Sequence, residues 1–229
     1  RSTMAVITMS RQVGSGSDEL AQRLCEELRL IAFDKRLMAR VASEVGISTS
    51  EIVDYSEVEY ERRGFFDQLF RRSRPVAEFS MWVGSPSIGY ERRARILDEH
   101  GAIDLIRATV TAAYERDNIL IMGRGGQAIL ESKPDVLHVR VVATFEDRVA
   151  RLQQEQNMTP GQARRYIQES DESKDEYLRV FFNVDPNDAT LYHLVVNTSK
   201  VGIDGAMVLI RRALDMVPAR PATVSEAST

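Results

Sequence analysis

The chain has 229 residues, 43% of them hydrophobic and 28% charged, enough to enclose one sizeable core. A formal net charge of -4 and a pI near 5.6 speak against a nucleic-acid-binding or membrane-surface protein, although basic residues could still gather in one cleft. The single cysteine, Cys25, excludes a disulfide framework and a cysteine zinc site; with no apolar run of membrane length and no signal-peptide pattern, the chain reads as cytoplasmic.

Ala5 to Met9 is a short apolar run that predicts a strand, and Leu20, Ala21, Leu24, Cys25 and Leu28 recur at helical spacing shortly after. Between them lie Gly14 and Gly16. Glycines in such a turn let successive N–H groups face inward while the helix N-terminus adds partial positive charge, which suits phosphate. Against the phosphate-loop pattern G-x-x-x-x-G-K-[ST], however, Arg11 stands at the first glycine, Ser17 at the lysine and Asp18 at the hydroxyl, and only Gly16 fits. Two readings stay open from this stretch: a phosphate cradle, or an ordinary tight turn in which Asp18 and Glu19 complement the helix dipole.

Leu30 to Phe33 predicts a second strand that ends at Asp34-Lys35-Arg36, on the edge where open α/β sheets bind ligands. Helical spacing follows from Leu37 to Val45, and a further helix start near Ser48. Over residues 60–95 arginines alternate with aromatics; helical packing with solvated arginines, a dimer surface and single-stranded nucleic-acid binding all account for that, the last disfavoured by the acidic whole. Gly84-Ser85-Pro86 predicts a turn, and Ile96 to Arg116 a long helical stretch. Asn118 to Met122 and Val136 to Val142 read as strands buried in a parallel sheet. The first ends in Gly123-Arg124-Gly125-Gly126 and a helix; after the second, Thr144 caps a helix over Phe145 to Gln156. Tyr192 to Val196, Asn197-Thr198-Ser199 and a closing helix over Ile203 to Met216 complete the alternation, which predicts a doubly wound five-stranded parallel sheet. Asn157 to Val184 is charged and starts at Thr159-Pro160; it reads as a solvated hairpin or a lid that closes positive charge over phosphates. The three histidines have no metal-ligand spacing, and residues 218–229 read as a disordered tail.

Taken together, Ile7 to Gly16, Phe33-Asp34-Lys35, Ile121 to Gly126, Glu169 to Tyr177 and Tyr192 to Ser199 resemble, in their order and spacing, the cytidylate kinase-like proteins, a branch of the P-loop nucleoside monophosphate kinases. The resemblance implies one kinase-type domain over 4–217, with a helical monophosphate-binding insertion at 34–116 and a helical lid at 151–180. It implies transfer of the γ-phosphoryl group of ATP, with Mg²⁺, to CMP or dCMP. On that likeness Gly14, Ser15, Gly16 and Ser17 face the donor phosphates, and Asn197 and Thr198 lie on the adenine side. Arg124 corresponds to the arginine of the Gly-Arg pair that holds the acceptor phosphate, with Gly125 beside it on the acceptor side, a role that also suits a guanidinium beside glycines at a strand end. Asp34, Lys35 and Arg40 fall on the acceptor side, and Arg148, Arg151 and Lys174 at basic lid positions.

Phosphoryl transfer is catalysed mainly by positioning and by positive charge, and the loop lysine is absent here. Asp18 beside a phosphate would oppose binding unless it ligates Mg²⁺, and Arg11 or Lys35 could replace the missing charge. Three functions follow: a pyrimidine monophosphate kinase, a non-catalytic nucleotide sensor, or a kinase of another small metabolite. Nucleotides are the expected partners, nucleic acid and membrane are not, and a homodimer stays open.

Overall fold

A computed structural model describes residues 5–33, 77–85, 89–97 and 99–218. The helices expected after Leu37, the residues Asp34, Lys35 and Arg40, and the tail after residue 218 lie outside the described residues.

Five strands form one parallel sheet: β1 (Val6–Arg11), β2 (Ile31–Phe33), β5 (Ile119–Met122), β6 (Val136–Val142) and β7 (Leu194–Asn197). Their order is β2-β5-β1-β6-β7, so β1 is central, with Val6 in register with Ile119 on one side and Val136 on the other. Alternate side chains of these strands enter two cores, as the period of a strand requires. Val6, Ile119 and Ile121 pack with Val110 and Tyr177 on one face. Ile7, Met9, Leu120 and Val139 pack with Leu20, Leu24 and Ile210 on the other. The helices that close these faces are α1 (Ser17–Leu28), α2 (Glu99–Tyr114), the short α3 (Gly126–Ile129), α4 (Phe145–Gln156), α5 (Pro160–Phe182) and α6 (Thr198–Leu214). The doubly wound sheet is as the sequence predicts.

Local signals decide several boundaries. The Thr144 hydroxyl accepts from the N–H of Asp147 at the start of α4. Thr159 and Gln162 form a reciprocal capping box at the start of α5, with Pro160 in the first helical turn. Cys25 packs half-buried against the second core.

The stretch on either side of Gly84-Ser85-Pro86 differs from expectation. It is not followed by helix: β3 (Ala77–Ser85) and β4 (Gly89–Leu97) form an antiparallel hairpin across it. Ile96 lies in β4, and α2 begins only at Glu99. The insertion is therefore not wholly helical. The period of two was present in Phe79, Met81 and Val83, but their register partners are Arg95, Arg93 and Glu91, so the second strand carries no matching apolar alternation.

His138 sits inside β6, its Nδ1 2.7 Å from the Thr8 hydroxyl and its ring stacked on His193 at 5.2 Å. Burial, and secondly the neighbouring His193, hold its pKa down at about 4, against a weaker opposing pull from the Leu130 backbone. A base whose pKa is lower in the folded chain is protonated preferentially when unfolded, so stability is lost as pH falls from 6.5 toward 4. The full loss is at most about 3.5 kcal/mol, at about 1.4 kcal/mol per pH unit. Urea denaturation at pH 7.5, 6 and 5 is expected to show this fall, and His138→Gln is expected to flatten that part of the profile.

Candidate phosphate cleft

The turn from β1 into α1 holds Gly14 at φ 73° and Gly16 at φ 76°, a region that L side chains rarely adopt. At Gly14 space also demands glycine, since a Cβ there would lie 2.9 Å from the Arg148 carbonyl oxygen; at Gly16 it would meet the side-chain ends of Ile203 and Arg151 at 2.8 and 3.0 Å. The loop is held from outside by its carbonyls. Arg148 Nε donates to Val13 O at 2.7 Å, Arg151 Nη1 to Gly14 O at 2.8 Å and the Thr198 hydroxyl to Ser15 O at 2.7 Å. Among the described residues nothing accepts from the N–H groups of Gly14, Gly16 or Ser17, and the fully buried Ser15 hydroxyl has no partner. Donors without acceptors at a helix N-terminus form an anion cradle.

Asp18 is 78% exposed at the lip of this loop, and Arg11 donates to its carboxylate at 3.2 to 3.3 Å. The negative charge that would repel a phosphate is thus partly offset by its neighbour on β1.

α4 and α5 form a hairpin against the loop, with Val13 packed among Val149, Leu152, Ala163 and Ile167. Arg148, 3% exposed, also donates from both Nη atoms to Asp171 of α5 at 2.8 and 2.7 Å. Arg164 forks onto Glu146 at 2.8 and 2.6 Å at the surface. Lys174 lines the cleft beside Asp171 and Asp175. Burial pushes the Asp175 carboxyl up, against the opposing pull of Asn187, Arg140 and Arg179.

The opposite wall is the end of β5. Gly123, Arg124 and Gly125 take φ of 65°, 56° and 69° in succession, and strain of this kind gathers at functional sites. Arg124 is buried, donates to Phe33 O at 2.8 Å and lies over the Phe33 ring at 5.0 Å. A Cβ on Gly125 would meet the Phe182 ring at 2.6 Å, so only glycine admits the end of α5 here. Between the walls lies a small cleft of about 60 Å³, open at its mouth.

The structure thus gathers Arg11, Gly125 and Lys174 around one cleft; the Gly14–Ser17 loop follows Arg11 and Gln12 in the chain and Arg124 precedes Gly125, but neither the loop nor Arg124 lines it. Arg148 and Arg151 reach the loop, but as props of its backbone. Asn197 caps α6, its Oδ1 accepting from Ser199 N at 3.0 Å, and Thr198 supports the loop from below. Two cleft residues escaped the sequence reading. Gln127 is buried with an unpartnered Nε2, and Arg140 of β6 lines the floor. The signal for Arg140 was there: a guanidinium in the middle of the apolar run Val136 to Val142.

A parallel sheet centred on β1, a glycine loop leading into α1 and a helical hairpin packed on that loop define a P-loop kinase fold. The chain belongs to the cytidylate kinase-like family, whose model matches residues 6–200. It is 26% identical over 217 residues to a cytidylate kinase of Methanopyrus kandleri, covering 93% of this chain and 95% of that one. It is 27% identical over 214 residues to a cytidylate kinase of Methanocaldococcus jannaschii, covering 92% and 97%. A solved protein of Eubacterium ventriosum shares the fold at a TM-score of 0.61 and 18% identity, over 93% of this chain and 99% of that one. Among the described residues no helix is long and apolar enough to cross a membrane.

Arg148→Ala would leave the Asp171 carboxylate and the Val13 carbonyl without their donor. Breaking a buried pair in this way costs about 3–5 kcal/mol. Urea denaturation is expected to show a loss of that size, and a loss under about 0.5 kcal/mol, the scale of surface changes, would mean that Arg148 does not hold the loop and hairpin together.

Proposed function

We propose that this protein transfers the γ-phosphoryl group of ATP to a pyrimidine nucleoside monophosphate, CMP or dCMP. The observation that carries the reading is the placement of two anion-binding features on adjacent strands: β1 and β5 pair with Met9 opposite Met122, so the glycine loop and Arg124 leave the sheet side by side. The loop N–H groups would hold the donor phosphates, and Arg124 the phosphate of the acceptor, a bidentate task for a guanidinium. Asp34, Lys35 and Arg40 would complete the acceptor side. Held side by side, the two phosphates meet by positioning alone, and no general base is required.

Charge in the cleft would come from Arg11 and Lys174. Arg148 and Arg151 would act by fixing the loop, Thr198 and Asn197 by supporting it at the start of α6, and the α4–α5 hairpin as the lid that excludes water. The buried, unpartnered Ser15 hydroxyl and the open N–H groups fit a phosphate chain. Mg²⁺ would enter with the nucleotide: among the described residues no cluster of three metal-binding side chains exists, and Mg²⁺ commonly takes one or two carboxylates together with substrate phosphates. Asp18, exposed at the loop, fits as that carboxylate. When bound, the ion neutralises charge on the phosphate oxygens.

One observation favours a non-catalytic nucleotide sensor instead: Arg148 and Arg164, both on the hairpin, are taken by the carboxylates of Asp171 and Glu146 rather than facing the open side of the loop.

Purified protein with ATP and Mg²⁺, offered CMP, dCMP, UMP and AMP, separates the two. Formation of CDP or dCDP is expected, and Arg124→Ala should lower kcat/KM by roughly 100-fold, the effect of losing one charged, desolvated contact of about 2.7 kcal/mol. Nucleotide binding by calorimetry without turnover of any acceptor would favour the sensor.

A further inference from the structure

We propose that Arg140 contacts the terminal phosphoryl group of the donor, furnishing from the sheet the positive charge that the loop lacks with Ser17 in the lysine place; this rests on the phosphoryl-transfer reading above. Arg140 stands in β6 opposite Ser10 of β1, just before the glycine loop, and is 7% exposed. What exposure it has belongs to the cleft, whose floor it shares with Ser10, Arg11 and Gln127.

Its partners are all neutral. Nη1 donates to the Ser10 hydroxyl at 3.2 Å and to the Tyr192 hydroxyl at 3.4 Å, and Nη2 donates to Asn187 Oδ1 at 2.9 Å. The guanidinium also lies over the Tyr192 ring at 5.7 Å. Nε donates to no acceptor among the described residues. Asp171 is engaged by Arg148; Asp175 makes no ion pair with Arg140, but its carboxyl feels the guanidinium's charge and is linked to it through the Asn187 amide, whose Nδ2 lies 3.4 Å from its carboxylate. A buried charge hydrogen-bonded only by neutral groups, with its nearest carboxylate making no ion pair, is oriented while only partly offset, and a charge so placed binds an anion more strongly than an exposed one. The network has the character of preorganisation: Tyr192 is itself anchored by donating to Pro186 O at 3.0 Å, so the guanidinium plane is fixed before any ligand arrives.

A purely architectural Arg140 would tie β6 to the segment around Asn187 and Tyr192 and do nothing else. Hydrogen bonding alone would explain that, and a neutral donor would serve.

The test uses sodium tripolyphosphate, which carries the donor's phosphate chain without its nucleoside, and calorimetric titration of the full chain as wild type, Arg140→Lys, Arg140→Gln and Arg140→Met. Arg140→Lys keeps the charge and is expected to bind within about threefold of wild type, whereas both neutral variants lose about tenfold or more, the scale of one charged hydrogen bond. Without ligand the neutral variants are expected to melt close to wild type, since the buried charge they remove makes no direct ion pair. Equal affinity in all four proteins, no tripolyphosphate binding by wild type, or failure of both neutral variants to fold would each overturn the proposal. Turnover of CMP is measured alongside. Charge-dependent tripolyphosphate binding without turnover would sink the kinase reading and leave the role of Arg140 standing; turnover unaffected in Arg140→Gln would do the reverse.

Discussion

The site depends on how the glycine loop's carbonyls are satisfied. A turn with Gly14 and Gly16 in left-handed conformations sends its N–H groups to one side and its carbonyls to the other, and buried carbonyls need donors. Those donors are Arg148, Arg151 and Thr198, more than a hundred residues further along the chain. α4 follows β6 and α6 follows β7, so the donors arrive only when both strands have taken their places beside β1. The cradle is therefore a product of the finished sheet, not of the loop sequence alone. The same guanidinium that caps Val13 O is forked onto Asp171, which couples α5 to the loop through one buried pair.

The electrostatics follow a different route from a loop with its own lysine. With Ser17 in that place the loop offers only dipoles, and its nearest charges, Arg11 and Asp18, partly cancel. Net positive potential in the cleft must then come from the strands and the hairpin. Lys174 stands on α5 beside two acids of the cleft, Asp171, which is paired with Arg148, and Asp175, whose carboxyl burial pushes up. Arg124 is buried just past β5 and donates to Phe33 O, and Arg140 is buried within β6, its hydrogen bonds going to Ser10, Tyr192 and Asn187. Charges set on the sheet lose little by reorganising when a phosphate arrives, because packing has already fixed them.

What could be read from the sequence was what local physics decides. The strands at 119–122 and 136–142 are legible because a strand buried on both faces is a plain apolar run, and the starts of α4 and α5 because Thr144, Thr159 and Pro160 act within one turn of themselves. The hairpin at 77–97 was not legible, because the register sets arginines and a glutamate opposite its apolar residues. Location was also easier than role. Asn197-Thr198-Ser199 stood out at a strand end, yet the contact of Thr198 with Ser15 O spans 183 positions and no spacing rule reports it. Arg140 was passed over because the run around it so plainly said strand. A charge inside such a run is costly unless something uses it, and that cost is the signal.

The hairpin arginines show why composition misleads about a lid. A basic segment after a βα unit suggests charge waiting to close over phosphates, but Arg148 and Arg151 bond the side of the loop away from its open N–H groups. Any motion that parted Asp171 from Arg148 would leave a guanidinium that is 3% exposed without its carboxylate, a state of high free energy. Opening of the cleft therefore has to preserve that pair, with the loop, α4 and the middle of α5 moving as one body. The far end of α5 is itself set into the first core, with Tyr177 and Leu178 buried and Phe182 packed beside them and Arg107 lying over the Phe182 ring at 4.8 Å.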